Sequence, residues 1–302
     1  MLPTAAQPGR SVVLGEAAVL VSALSWACNS VLQRLLLEHS GIVGSSVARY
    51  VAGGSLLILV SAATGRLADI PSLPVAAFAW IAASVVAALV LGDSFFLLAT
   101  QRIGVARAMP IGAAHPVLTT ALAGLLLGEP VGWRLFAGAA LVAWGTGQLG
   151  RRAKNEAARV QLSGVTFAVL AALMWAAAAL AGRQALQHLD ALTANTLRLP
   201  LAAVLMFALL PWLGVKTPSP KSEFPRGWWL GVASVVGVLA AIASYTFFVG
   251  IELIGVARTV VIQSSAPVMS LPIAALVLRE PVTGRTLLGA LGTALGVVVV
   301  LT

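Results

Sequence analysis

The pentapeptide Ile103-Gly104-Val105-Ala106-Arg107 recurs as Ile254-Gly255-Val256-Ala257-Arg258, 151 residues later. At the same offset Pro116 pairs with Pro267, Glu129-Pro130 with Glu280-Pro281, Arg134 with Arg285, Gly138 with Gly289 and Gly145 with Gly296. Upstream the offset is 149: Trp26 pairs with Trp175, Arg34 with Arg183, His39 with His188, Arg49 with Arg198 and Gly65 with Gly214. Two extra residues in the Pro-rich stretch 216–225 account for the change. A period of half the chain means one large unit duplicated, not a solenoid of short repeats.

The solvent for that unit follows from composition. The 302 residues are 59% hydrophobic and 10% charged, with a mean hydropathy of +0.97; a soluble domain carries roughly 25% charged residues. A soluble core cannot hide so much apolar surface, so the chain reads as an all-α integral membrane protein. The net charge of +9 does not indicate nucleic acid, because the basic residues stand singly between apolar runs and mark loop ends. The single cysteine, Cys28, excludes a disulfide framework and a cysteine-based metal site and reads as a small apolar side chain. Arg10 is the only early positive charge, and the apolar run after it is long enough to span, so the N-terminus reads as a first membrane helix rather than a cleaved signal.

A spanning helix needs about 20 mostly apolar residues. Ten such runs are expected: 12–37, 45–64, 75–100, 105–127 and 133–149, then 162–187, 191–213, 227–251, 256–278 and 284–301. Residues 1–149 form the first repeat, 150–161 a basic linker and 162–302 the second repeat. An odd number of spans per repeat reverses the side on which the second begins. The two five-helix halves are therefore expected to be inverted, a recurring transporter plan with its site between the repeats. Of the 19 Lys and Arg, 13 fall on the face holding the linker and 6 on the other. The positive-inside rule then puts both termini outside.

The residues that recur also carry a resemblance. Ser25-Trp26-Ala27-Cys28-Asn29 through Arg34, Ala48-Arg49-Tyr50, Ile103 through Arg107 and Leu127-Gly128-Glu129-Pro130 resemble the EamA-type repeat of the drug/metabolite transporter superfamily. The second copy shows Met174-Trp175 through Arg183, Leu197-Arg198, Ile254 through Arg258 and Leu278-Arg279-Glu280-Pro281. It departs at Arg279, where the motif has Gly, and at Ala178, which stands opposite Asn29. The resemblance implies a ten-helix bacterial secondary transporter with a pseudo-two-fold axis in the membrane plane. It also implies cargo drawn from amino acids, nucleotide sugars, vitamins, sugars, purines and amines, moved mostly outward. Relatives often keep both termini in the cytoplasm, against the charge count.

Polar side chains inside a membrane cost about 2.5–3.5 kcal/mol for Asp or Arg at a helix centre, so each marks a candidate site. Asp93, whose repeat partner is Ser244, is either an amine-binding or proton-carrying carboxylate or a helix-end group paired with Arg. His115, next to Pro116, is a proton-coupling candidate or a satisfied interior histidine. Gln263 and Ser264 precede Pro267, while Pro110 and Pro116 interrupt the matching span; proline loosens a helix, and broken backbone is tolerated where it lines a cavity. Trp26 and Trp175 either wall a cavity or pack, Tyr245 belongs to the same candidate wall, and Asn29 and Asn195 either bind substrate or bond helix to helix. Arg49 and Arg198, in the first turns of their spans, are expected to snorkel to the interface. Glu129 and Glu280 are expected to be structural carboxylates near the helix N-termini that follow them.

No His-Glu-x-x-His, Gly-x-Ser-x-Gly or Walker sequence occurs, so neither an intramembrane enzyme nor ATP driving is indicated. The expected function is secondary active transport of a small amphiphilic metabolite across the inner membrane, by alternating access and without a cofactor. Amino acid efflux is the leading reading. The alternatives are a carrier for an amine, vitamin, nucleoside or nucleotide sugar, or a non-transporting subunit or sensor. Monomer and homodimer both remain open.

Overall fold

A computed structural model describes residues 8–103, 105–149, 162–209, 226–277 and 284–302. Gly104, the linker 150–161, the stretch 216–225 and Glu280 lie outside the described residues. The described chain is helical throughout: α1 (Pro8–Ala63), α2 (Val75–Val85), α3 (Asp93–Ile103), α4 (Val105–Gly112), α5 (His115–Leu127), α6 (Trp133–Leu149), α7 (Leu162–Ala185), α8 (Ala191–Leu209), α9 (Arg226–Ile254), α10 (Val256–Gln263), α11 (Ala266–Val277) and α12 (Gly284–Leu301). A 3-10 turn (Arg66–Ser72) follows α1, and a π-helical segment (Val86–Gly92) joins α2 to α3.

Eight described helical stretches are long and apolar enough to cross a membrane. Six correspond to expected spans directly, and two lie in α1, at Gly9–Gln33 and Gly44–Ala63. These two were expected as separate helices, but helical backbone runs through the bend between them. The chain nevertheless doubles back, because Arg49 reaches Gln33, 16 residues earlier. The other two expected spans are the broken pair α4 and α5, and α6, which is 17 residues long.

The two spans with proline at the matched positions 116 and 267 break at the same place. The turn between α4 and α5 falls at Ala113-Ala114, and that between α10 and α11 at Ser264-Ser265, at the 151-residue offset. In each, the second half restarts just before Pro116 or Pro267, where proline supplies no N–H to the turn before it.

Repeat-equivalent helices pack against each other in antiparallel sense. A Cβ on Gly138 would lie 2.7 Å from the Gly296 carbonyl, and one on Gly145 would lie 2.6 Å from the Gly289 carbonyl. Gly296 is the counterpart of Gly145 and Gly289 that of Gly138, so α6 and α12 exchange equivalent contacts. The end of α1 meets α8 likewise: Ser61 Oγ is 2.6 Å from Thr196 Oγ1, and a Cβ on Gly54 would touch the Pro200 ring at 3.0 Å. Two helices of equal sequence position can cross antiparallel and symmetrically only about a two-fold axis perpendicular to them. The packing is that of inverted halves. Small residues make the approach possible, since lipid provides no hydrophobic drive between helices and close contact must supply the attraction. Tyr50, Leu57, Leu199, Ala202, Ala203 and Met206 form the core beside this crossing.

At the face bearing both termini, polar ties join the halves. Arg66 pairs with Asp190, Glu16 with Arg258, and Arg134 donates to the Thr302 carbonyl. Glu129 was expected near the N-terminus of the helix that follows it. Instead it caps a helix of the other half: Oε1 accepts from Val256 N at 2.7 Å and Oε2 from Ala257 N at 3.0 Å. Two free N–H groups and the positive helix end both favour a carboxylate there. Gly255, at φ 81°, lets the chain turn into α10 directly under that carboxylate. Asp190 caps α8 in the same manner, accepting from Leu192 N and Thr193 N at 2.9 and 3.1 Å. Burial pushes the Asp190 carboxyl up, but the Thr193 hydrogen bonds, the Arg66 charge and the Leu192 N–H outweigh it and hold the group below its ordinary value.

Two outcomes test this packing. Gly145→Val drives a side chain onto the backbone of α12, and such overpacking costs about 1–3 kcal/mol, so the thermal midpoint in detergent should fall; an unchanged midpoint contradicts the crossing. A carboxyl with a lowered folded pKa stabilises the fold fully above the unfolded value, and the contribution is lost as pH falls through the folded one. Asp190→Ala should therefore cost about 1 kcal/mol near neutrality. Thermal melts below about pH 4 should show a smaller gap between the variant and the parent.

Candidate functional site

A cavity of about 310 Å3 is lined by Trp26, Arg49, Tyr50, Ala88, Leu89, Asp93, Trp175, Arg198, Leu199, Ala240 and Ser244. All but Ala88 fall into repeat-matched pairs. Trp26/Trp175, Arg49/Arg198 and Tyr50/Leu199 stand at offset 149; Leu89/Ala240 and Asp93/Ser244 stand at 151. A cavity walled by equivalent positions from both halves sits on the pseudo-two-fold axis.

The two arginines were expected at the membrane interface; the structure places both in the cavity wall. Arg49 is buried and donates to Gln33 Oε1 at 2.5 Å, Tyr50 OH at 2.6 Å and Asn29 Oδ1 at 3.3 Å. Its guanidinium also lies over the rings of Tyr50, at 4.4 Å, and Trp26, at 5.5 Å. Arg198 donates through Nε to Ser84 Oγ and through Nη1 to Ser244 Oγ, at 3.3 and 3.2 Å, and lies 5.2 Å over Phe248. Hydrogen bonds and aromatic faces take the place of water around each charge, which makes an inward position tolerable where snorkelling was expected. The signal in the sequence was the matched pair itself, two arginines at one offset within apolar spans.

Asp93 follows the π-helical segment, the kind of local widening often found at functional sites. Its carboxylate accepts from Trp175 Nε1 at 3.0 Å. The indole can come this close because Gly92 has no side chain: a Cβ there would lie 2.7 Å from both Cδ1 and Nε1 of Trp175. Phe96 packs on the same indole at 5.3 Å, and His115 meets it edge-on at 5.7 Å. His115 is thus one ring removed from the cavity lining, its Nδ1 3.3 Å from the Gly112 carbonyl.

The other candidates separate clearly. Asn29 is fully buried; it donates to the Val236 carbonyl at 2.7 Å and accepts from Arg49. Asn195 is fully buried and accepts from Ser244 Oγ at 2.5 Å, which in turn accepts from Arg198. Each asparagine holds an arginine, directly or through a serine, rather than facing the cavity. Tyr245 was assigned to the wall, but helical rotation sends it to the outer face with Val238 and Ile242. Its neighbour Ser244 faces inward, and the wall's tyrosine is Tyr50. Gln263 and Ser264 sit at the break before α11, outside the cavity lining: Ser264 Oγ bonds the Val260 carbonyl at 2.8 Å, and Gln263 Oε1 is buried with no hydrogen-bond partner among the described residues. The described residues hold no cluster of potential metal ligands.

The arrangement offers donors for an anionic group, one carboxylate for a cationic group and two indoles as walls. Gly92→Ala should push the Trp175 indole off Asp93 and lower transport at least about tenfold, by the loss of a charged hydrogen bond, with elution in detergent unchanged. Normal transport in that variant would mean the indole contact is dispensable.

The sequence profile of the EamA-like transporter family matches residues 13–148 and 162–302, one copy in each half. A solved crystal structure, described only as that of a protein, shares the fold at a TM-score of 0.76 and 19% sequence identity, over 96% of each chain. A search of curated proteins found no match. With both halves matched over almost their whole length, the chain belongs to the EamA-like transporter family, within the drug/metabolite transporter superfamily, and is a multi-pass membrane transporter rather than an enzyme.

Proposed function

We propose that this transporter moves a small amino acid outward across the inner membrane, binding it in the axial cavity and exposing it to each side in turn. The observation that carries the reading is the placement of Asp93 together with Arg49 and Arg198 around one cavity of about 310 Å3. An amino acid presents an ammonium and a carboxylate, which these groups complement, and Trp26 and Trp175 enclose its apolar part. Asp93 is the only described carboxylate in the lining, so coupling to a proton is assigned to it, with His115 behind Trp175 as the second candidate.

Alternating access in an inverted repeat exchanges the conformations of the two halves. The terminal face is held by Glu16–Arg258 and Arg66–Asp190. At the equivalent positions stand Val165 for Glu16, Val215 for Arg66 and Gly41 for Asp190. The opposite face therefore does not repeat these two ion pairs.

Counterflow in proteoliposomes with labelled amino acids, amines, vitamins and nucleotide sugars tests the reading. Amino acids should accumulate, and Asp93→Asn should reduce the signal to that of protein-free vesicles while eluting as a single species in detergent. Accumulation of a nucleotide sugar and of no amino acid would replace this reading by the second carrier class. Full activity of Asp93→Asn would remove that carboxylate from the site.

A further inference from the structure

The charges around the cavity do not balance. Arg49 and Arg198 face a single described carboxylate, Asp93. Neither guanidinium forms an ion pair with a carboxylate among the described residues; their hydrogen-bond partners are Gln33, Asn29, Tyr50, Ser84 and Ser244, all neutral. Arg49 is 7% exposed, and its Nε has no acceptor among the described residues. Asp93 offsets one of the two charges, so one positive charge remains held by neutral dipoles alone, and an anion that reaches the cavity supplies the missing counter-charge. An amino acid with a neutral side chain brings one carboxylate and one ammonium. It pairs with Asp93 and with one arginine, and the second arginine stays unmatched. Protonation of Asp93 enlarges the positive excess, so a second substrate carboxylate is called for in either state of that group, while the ammonium contact needs the carboxylate.

We infer that the transporter selects amino acids carrying a second carboxylate, with Arg49 and Arg198 each taking one carboxylate across the pseudo-two-fold axis. The inference rests on the amino acid reading above. The ammonium goes to the Asp93 oxygen not engaged by Trp175. Symmetry supports the assignment: the arginines are repeat partners on opposite sides of the axis, and a dicarboxylate is itself nearly two-fold. Basic amino acids are disfavoured, because their side chains add to the excess. Arginine's planar fork suits a carboxylate better than a point charge does.

The test is counterflow with labelled glutamate, aspartate, leucine and lysine in proteoliposomes of one lipid composition and ionic strength. Glutamate or aspartate should exceed leucine by about tenfold or more, the worth of one charge-assisted pair, with lysine lowest. Arg198→Gln should narrow the ratio by lowering the acidic substrates more than leucine, and Arg198→Lys should restore part of it. If leucine equals or exceeds the acidic amino acids in the unmodified protein, the inference is overturned and the amino acid reading survives. If no amino acid accumulates, both fall. The ratio in the unmodified protein decides the matter even where a variant fails to fold.

Discussion

Hydrocarbon offers no hydrogen bonds, so a polar group on a spanning helix must be satisfied from inside the protein. Inverted duplication turns that constraint into a site. It carries each inward-facing polar residue to the opposite side of one axis, and there Arg49 meets the territory of Arg198, Trp26 that of Trp175 and Asp93 that of Ser244. The small residues that close the crossings, Gly138 and Gly145 on Gly296 and Gly289, hold the equivalent helices tightly enough to fix the axis.

Function enters where the symmetry is broken. Asp93 faces Ser244, Tyr50 faces Leu199, and a π-helical segment lies beside the cavity in the first half, while its counterpart α9 is regular from Arg226 to Ile254. The first half thus supplies the carboxylate and the phenol. The second supplies the indole that orients the carboxylate and the serine that orients an arginine. The two ion pairs on the terminal face are unequal in the same sense, since three of their four residues have uncharged counterparts.

Most of the architecture could be read from the chain. The offsets of 149 and 151 fixed the unit, apolar runs gave the spans, and Pro116 and Pro267 marked the spans that break. What escaped was rotation and reach. One step of about 100° along a helix separates Ser244 from Tyr245, and apolar composition on both sides of α9 left no stripe to orient it. Arg49 lies near the start of its span, where snorkelling was the cheaper expectation. Only the folded chain shows Asn29, Gln33 and Tyr50 gathered around its guanidinium. Glu129 has its partner 127 residues away, on a helix no local pattern connects to it.

The central claim is that the axial cavity is where cargo binds. Leu89 lines it on one side of the axis, and the chain's one natural cysteine is Cys28. With Cys28→Ser as background, Leu89→Cys can be labelled by a small maleimide in proteoliposomes with and without saturating substrate. The account expects substrate to slow labelling in proportion to its occupancy. Labelling unaffected by substrate, in a variant that still transports, would contradict it.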